Sequence, residues 1–120
     1  MPRTPQKLLA DAIAAGEAIL AFTAGKTRQH YGLDMLLRSA VERQFEILGE
    51  AIRRLEVLDS RLALKISEHR RIIAFRNLIA HGYDSLDDDV VWQTITEKVP
   101  VLLNDARVLL DECDRQGGTK

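Results

Sequence analysis

Between residues 35 and 58 the chain carries one unbroken pattern. Leu37, Val41, Phe45, Leu48, Ile52 and Leu55 follow one another at steps of 4, 4, 3, 4 and 3. That spacing gathers six apolar side chains on one side of an α-helix and would scatter them over both faces of a strand. Asp34 stands just ahead of it as a natural N-cap. A helix over 35–58 is therefore predicted. Ala40, Ile47 and Ala51 widen the apolar surface beyond one stripe. A helix with two apolar sides belongs at the centre of a bundle or at a dimer seam.

The rest of the chain reads in the same register. Thr4 is a good N-cap and Pro5 fits a first helical position, so a helix is predicted from Pro5 to Thr23, ending at Gly25. Residues 25–33 are polar with two glycines and read as a loop. Residues 59–69 break the rhythm and leave room for a short helical turn. A third long helix is expected from Arg70 to His81, with Gly82 as its C′ residue and a turn over 82–86. A fourth opens at Asp87–Asp89, whose carboxylates suit the positive end of a helix. Its stripe runs through Val91, Ile95, Val99, Leu102, Ala106, Leu109 and Cys113. Pro100 must kink that helix or split it near Val99. No alternating run bounded by turn residues reads as a strand. The expected fold is all-α, an up-and-down bundle of four to five helices. One domain is expected over 1–114, followed by a disordered tail over 115–120.

Composition narrows the function. Of 120 residues, 46% are hydrophobic, too many for a disordered chain, and no apolar run approaches a membrane span. Asp11 and Glu17 interrupt the apolar part of the N-terminal stretch, where a signal peptide would carry no acids. A cytoplasmic protein is expected. The single cysteine, Cys113, excludes an intramolecular disulfide framework and a cysteine-rich zinc site. Its acidic neighbours Asp111, Glu112 and Asp114 would raise a thiol pKa, which favours a packed thiol over a nucleophile.

The net charge of −1 hides an asymmetry. Residues 53–81 carry seven basic and three acidic side chains, whereas residues 84–114 carry nine acids against Lys98 and Arg107. Twelve of the 17 basic residues are arginine, the type that holds a phosphate through two parallel hydrogen bonds. A basic middle segment is suited to phosphate, or is a solvated face paired with the acidic C-terminal part.

Glycine-rich phosphate loops, paired cysteines and the His-Glu-x-x-His motif are absent from the sequence. Asp87-Asp88-Asp89 reads as a helix cap rather than a metal site, because consecutive helical side chains diverge by about 100°. The informative stretch is Arg-Asn-Leu-Ile-Ala-His-Gly-Tyr over residues 76–83. Asn77 and His81 share a helix face, while Arg76 and His81 lie about 140° apart around an ideal axis. Fraying at Gly82, or a second copy across a dimer axis, brings both to one phosphate. RNA carries its own nucleophile, the 2′-OH. His81 as general base and Arg76 as stabiliser of phosphoryl charge suffice for cleavage to a 2′,3′-cyclic phosphate without a metal. The bland alternative makes Arg76 a surface residue and His81 a helix-end residue.

This segment resembles the Arg-x4-His-x-Tyr motif of HEPN-domain proteins, and specifically of the HepT-like toxins of bacteria and archaea. The likeness runs back to ILGEAIRRL (Ile47–Leu55) and forward to VVWQTITEKVPVLL (Val90–Leu103), so that it covers about residues 34–113. The resemblance implies a homodimeric helical bundle with two such motifs at a shared cleft. It implies a metal-independent endoribonuclease, needing no cofactor, that acts as the toxin of a toxin–antitoxin pair. The implied partner is a nucleotidyltransferase antitoxin that transfers AMP to the motif tyrosine, here Tyr83. A bulky anion two residues from His81 would repel RNA phosphate. Arg76 and His81 then stand as the catalytic pair and Asn77 as a positioning residue. Glu50 is a candidate to orient Arg76, with pairing to Arg53 and Arg54 as its simpler role. His30 and His69 are expected to be exposed helpers or bystanders, and Trp92 a core or dimer contact. The alternative function is a non-catalytic helical subunit that binds a nucleotide or the nucleotidyltransferase.

Overall fold

The computed structural model describes residues 4–81 and 87–118, with side chains up to residue 116. All of its regular structure is helical: α1 (Pro5–Thr23), α2 (Arg28–Leu33), α3 (Met35–Leu58), α4 (Ser60–Leu64), α5 (His69–Ala80), α6 (Asp88–Gln93), a π-helical turn (Thr94–Lys98) and α7 (Val99–Gly118). The two helices with the clearest caps and stripes, α1 and α3, begin and end where the sequence places them. The Thr4 hydroxyl accepts from the Lys7 N–H at 3.1 Å, and the Asp34 carboxylate accepts from the Leu37 N–H at 3.0 Å.

Helix α3 is the centre of the bundle. It packs on α1 and on α5, and α7 in turn packs on α1. Its stripe residues Val41, Phe45, Leu48, Ile52 and Leu55 are all buried, and Ala51 on the second side is buried too. Two apolar sides on one helix thus have two partners within the same chain. The fold is the expected all-α bundle, 51 × 29 × 25 Å in extent.

Local expectations are revised at several points. The stretch 25–33 is not all loop: residues 28–33 form α2, because the Thr27 hydroxyl caps the His30 N–H and Tyr31 supplies a buried anchor. Tyr31 stacks obliquely on Trp92 at 5.9 Å and lies under the Arg38 guanidinium at 5.5 Å. Burial is the main reason that its phenol is pushed up to about 12. Trp92 therefore belongs to the core, where α2 meets α6. His69 is buried rather than an exposed bystander, its Nε2 set 2.7 Å from a Glu56 oxygen on α3. The helical run is divided near Val99, as expected, but without a break in helical structure at Pro100. A wider π turn precedes it, in which the Val99 N–H reaches back to the Thr94 carbonyl. Proline has no N–H to donate and its ring crowds the preceding turn, and one extra residue in that turn relieves both problems. At the C-terminal end, α7 continues to Gly118, into the stretch read as a tail.

Candidate functional site

Helix α5 carries the motif, and three devices fix it on α3. At its start, Glu56 holds His69. Glu68, just ahead, adopts a left-handed backbone (φ 56°) and is tied to Lys98 of the π turn at 2.8 Å. That pairing is the largest cause holding the Glu68 carboxyl below its ordinary range. Midway, Phe75 meets Phe45 edge to face at 4.8 Å.

The third device lies beneath the motif arginine. Gly49 of α3 faces Arg76 so closely that a Cβ at position 49 would sit 2.2 Å from the Arg76 Cβ and 2.7 Å from its Cγ. No pair of non-bonded carbons tolerates that approach. The absent side chain lets the aliphatic stem of Arg76 lie directly on the backbone of α3. Arg76 is consequently only 30% exposed, and its Nε is a buried nitrogen without a hydrogen-bond partner. Its Nη1 donates to the Asn77 side-chain oxygen at 3.1 Å. Its Nη2 stands 3.6 Å from a Glu50 oxygen, an ion pair longer than a hydrogen bond.

Glu50 serves three guanidinium groups. Arg53 binds it through two nitrogens, at 3.0 and 3.1 Å, and Arg54 donates Nε to it at 2.7 Å. Hydrogen bonding from Arg53, then from Arg54, holds the Glu50 carboxyl down at about 2 against the opposing effect of burial. Glu50 therefore pairs with the arginines of its own helix and also lies within ion-pair distance of Arg76. A cleft of about 260 Å³ opens here, lined in part by Arg43, Glu46, Glu50, Arg54 and Arg76.

His81 lies at the other end of the motif. It is the C-cap of α5, exposed, and its backbone N–H donates to the Asn77 carbonyl at 3.1 Å. Glu50, Arg76 and Asn77 are thus gathered in one cluster, and His81 is set one helical turn beyond it. Tyr83 and the expected turn over 82–86 lie outside the described residues. Beyond that segment, Asp87 caps α6 through the Asp89 N–H at 2.8 Å. Asp88 takes Arg38 at 2.7 Å, and Asp89 takes Arg28. The three aspartates are a cap and two clasps onto α2 and α3. Of the remaining histidines, His30 is exposed and lies 3.2 Å from Asp34. Cys113 is half-buried, and burial first, then Asp114 and Glu112, raises its thiol pKa.

Sequence reasoning missed Gly49. The available signal was a glycine in the middle of the strongest helical stripe, where it weakens the helix and so needs a packing reason.

An all-α bundle with an arginine, an asparagine and a histidine at one helix end is a class of architecture before it is a particular family. The family profile described as "Ribonuclease HepT-like" matches residues 12–109. The chain belongs to the HepT-like ribonuclease family. It is 31% identical over 102 residues to the Thermococcus cleftensis protein named "Probable ribonuclease HepT", covering 85% of this chain and 92% of that one. It is 24% identical over 107 residues to the Methanocaldococcus jannaschii protein named "Putative RNase MJ1380", covering 89% and 97%. A second M. jannaschii protein, "Gamma-glutamylcyclotransferase and putative RNase MJ0434", is 25% identical over 104 residues, 87% of this chain. This chain spans only 46% of that relative's length. No solved structure gives a significant match. Among the described residues, no helix is long and apolar enough to cross a membrane.

Proposed function

We propose that this chain is a metal-independent endoribonuclease and the toxin of a toxin–antitoxin pair, with Arg76 and His81 as its catalytic residues. The observation that carries the reading is the seat of Arg76: a guanidinium pressed onto α3 over Gly49, restrained by Asn77 and Glu50, one turn before an exposed histidine at the helix end. A guanidinium restrained in this way suits an oxyanion, because little side-chain freedom is left to lose on binding. His81 takes the proton of the RNA 2′-OH. The O2′–P bond forms, the P–O5′ bond breaks, and the proton is returned to the departing 5′-oxygen. The products are a 2′,3′-cyclic phosphate and a 5′-OH end. Arg76 stabilises the charge that develops on the phosphoryl oxygens, and Asn77 and Glu50 position it. The active form is a homodimer with the two motifs at a shared cleft. A nucleotidyltransferase antitoxin silences it by attaching AMP to Tyr83, whose added phosphate repels the RNA backbone.

The test is cleavage of an end-labelled single-stranded RNA in EDTA by protein of confirmed unmodified mass. The wild type is expected to leave cyclic phosphate ends. His81→Ala lowers the rate about 10²–10⁴-fold, the usual worth of a general base. Arg76→Ala lowers it about 10²–10³-fold, the usual worth of a preorganised charge-stabilising donor. Absence of cleavage by the unmodified wild type over a broad panel of RNAs would favour the non-catalytic subunit that binds a nucleotidyltransferase.

A further inference from the structure

The cluster around Glu50, beside Arg76, holds more positive charge than its carboxylate balances. Glu50, the carboxylate nearest Arg76, is shared by three guanidinium groups, those of Arg53, Arg54 and Arg76. The two other acids lining the cleft have cations of their own: Glu46 faces Arg43 at 3.7 Å, and Asp11 is held by Lys7 at 2.7 Å. The lining as a whole is balanced, Arg43, Arg54 and Arg76 against Asp11, Glu46 and Glu50, and the two surplus positive charges lie at Glu50 itself, where one carboxylate faces three guanidinium groups. Arg54 is bound to Glu50 through Nε alone, so its two terminal nitrogens keep their donors for a further acceptor. It also stands between two openings. On one side is the cleft of about 260 Å³ shared with Arg76. On the other is a wider depression of about 570 Å³, bordered by Arg53, Val57, Leu58 and Leu8. Arg54 thus lines both openings.

We propose that Arg54, supported by Arg53, is a phosphate-binding residue on α3 that holds the RNA backbone next to the phosphodiester facing Arg76. This assignment rests on the ribonuclease reading above and extends it from the reacting bond to the strand that flanks it. Glu50 then has a second use. With no RNA present it keeps three like charges together, and its single charge leaves the cluster cationic enough to take a phosphate. Arginine suits the task because one edge can stay on the carboxylate while another meets a phosphate oxygen.

The test is binding of a fluorescein-labelled 2′-O-methyl single-stranded RNA, which has phosphates but no nucleophile, to the full chain. Affinity is measured by anisotropy across a KCl series. Each phosphate contact on a single strand contributes about 0.7 to the slope of log affinity against log salt. Arg54→Gln is expected to weaken binding about 3–10-fold at low salt and to flatten the slope by about 0.7. Arg54→Lys, which keeps the charge, restores most of the slope. Arg107→Gln removes an exposed arginine of α7 that pairs with Glu17, and it is expected to change neither quantity. Melting by circular dichroism checks that each variant is folded, and Arg53→Gln provides a second route into the same pair.

Unchanged affinity and slope in folded Arg54→Gln and Arg53→Gln would overturn the assignment while leaving the ribonuclease reading intact. Equal losses in Arg54→Gln and Arg107→Gln would also overturn it, because the binding would then be diffuse. If the wild type binds no such RNA at low salt, the subsite is rejected. Cleavage of ordinary RNA in a parallel reaction then decides separately whether the ribonuclease reading stands.

Discussion

At the scale of single residues, the site depends on one absent side chain. Gly49→Ala would place a carbon 2.2 Å from the Cβ of Arg76, and neither helix backbone can yield without moving α5. Overpacking of this kind costs about 1–3 kcal/mol, and guanidinium chloride unfolding should read a loss in that range. Cleavage should fall as well, since Arg76 is displaced from Glu50. Gly16→Ala is the instructive contrast: the nearest atoms its new carbon would meet belong to the side chain of Leu103, Cδ2 at 2.8 Å and Cγ at 3.1 Å, so a smaller loss is expected. Glu50 makes a prediction in pH. Its native carboxyl stays ionised down to about 2, well below the ordinary value of 4.5. The stabilisation is fully present above the unfolded value and is lost as pH falls through the native one. Wild type should therefore exceed Glu50→Gln by about 1–2 kcal/mol near neutral pH, after allowance for solvent screening of a quarter-exposed carboxylate. The gap should close between about pH 4 and pH 2, as thermal melting of the two proteins across that range would show.

At the scale of elements, the question is what holds the two ends of the motif segment. Before it, α5 is fixed by His69, Phe75 and Arg76. After it, the start of α6 is clasped by Arg38 and Arg28. The Arg38–Asp88 pair is well shielded, its side chains 30% and 22% exposed, against 66% and 34% for Lys7–Asp11. A double-mutant cycle should give about 1 kcal/mol of coupling for the first pair and about 0.3 kcal/mol for the second. The long helices were legible in the sequence because several independent signals agreed: stripe, N-cap and stop residue for α1, stripe and cap for α3. Helix α2 was not, because six residues are too few to show a period and its one anchor, Tyr31, is buried by residues sixty positions away. Pro100 announced an irregularity but not its form, since the choice between a kink, a break and a π turn depends on what the helix packs against. The motif itself was plain. That Arg76 leans on α3 was not, because Gly49 and Glu50 meet it only across the fold.

At the scale of the whole molecule, charge and shape divide the labour. The basic excess lies over residues 53–81, from the end of α3 through α5, while residues 84–114 carry nine of the acids. The proposed homodimer should sediment at twice the 13.5 kDa of the chain under conditions in which RNA is cut. A particle of single mass with full activity would remove the shared cleft from the mechanism. The seat of Arg76 has a last consequence, for genetics. If the protein arrests growth, cells that survive its production will carry lesions of two kinds. Changes at His81, an exposed residue at a helix end, leave a folded chain that still accumulates. Changes at Gly49 disturb the packing of two helices, so those survivors should contain little of the protein. Sequencing escape clones alongside immunoblots would sort the two, and would map the boundary between chemistry and scaffold one substitution at a time.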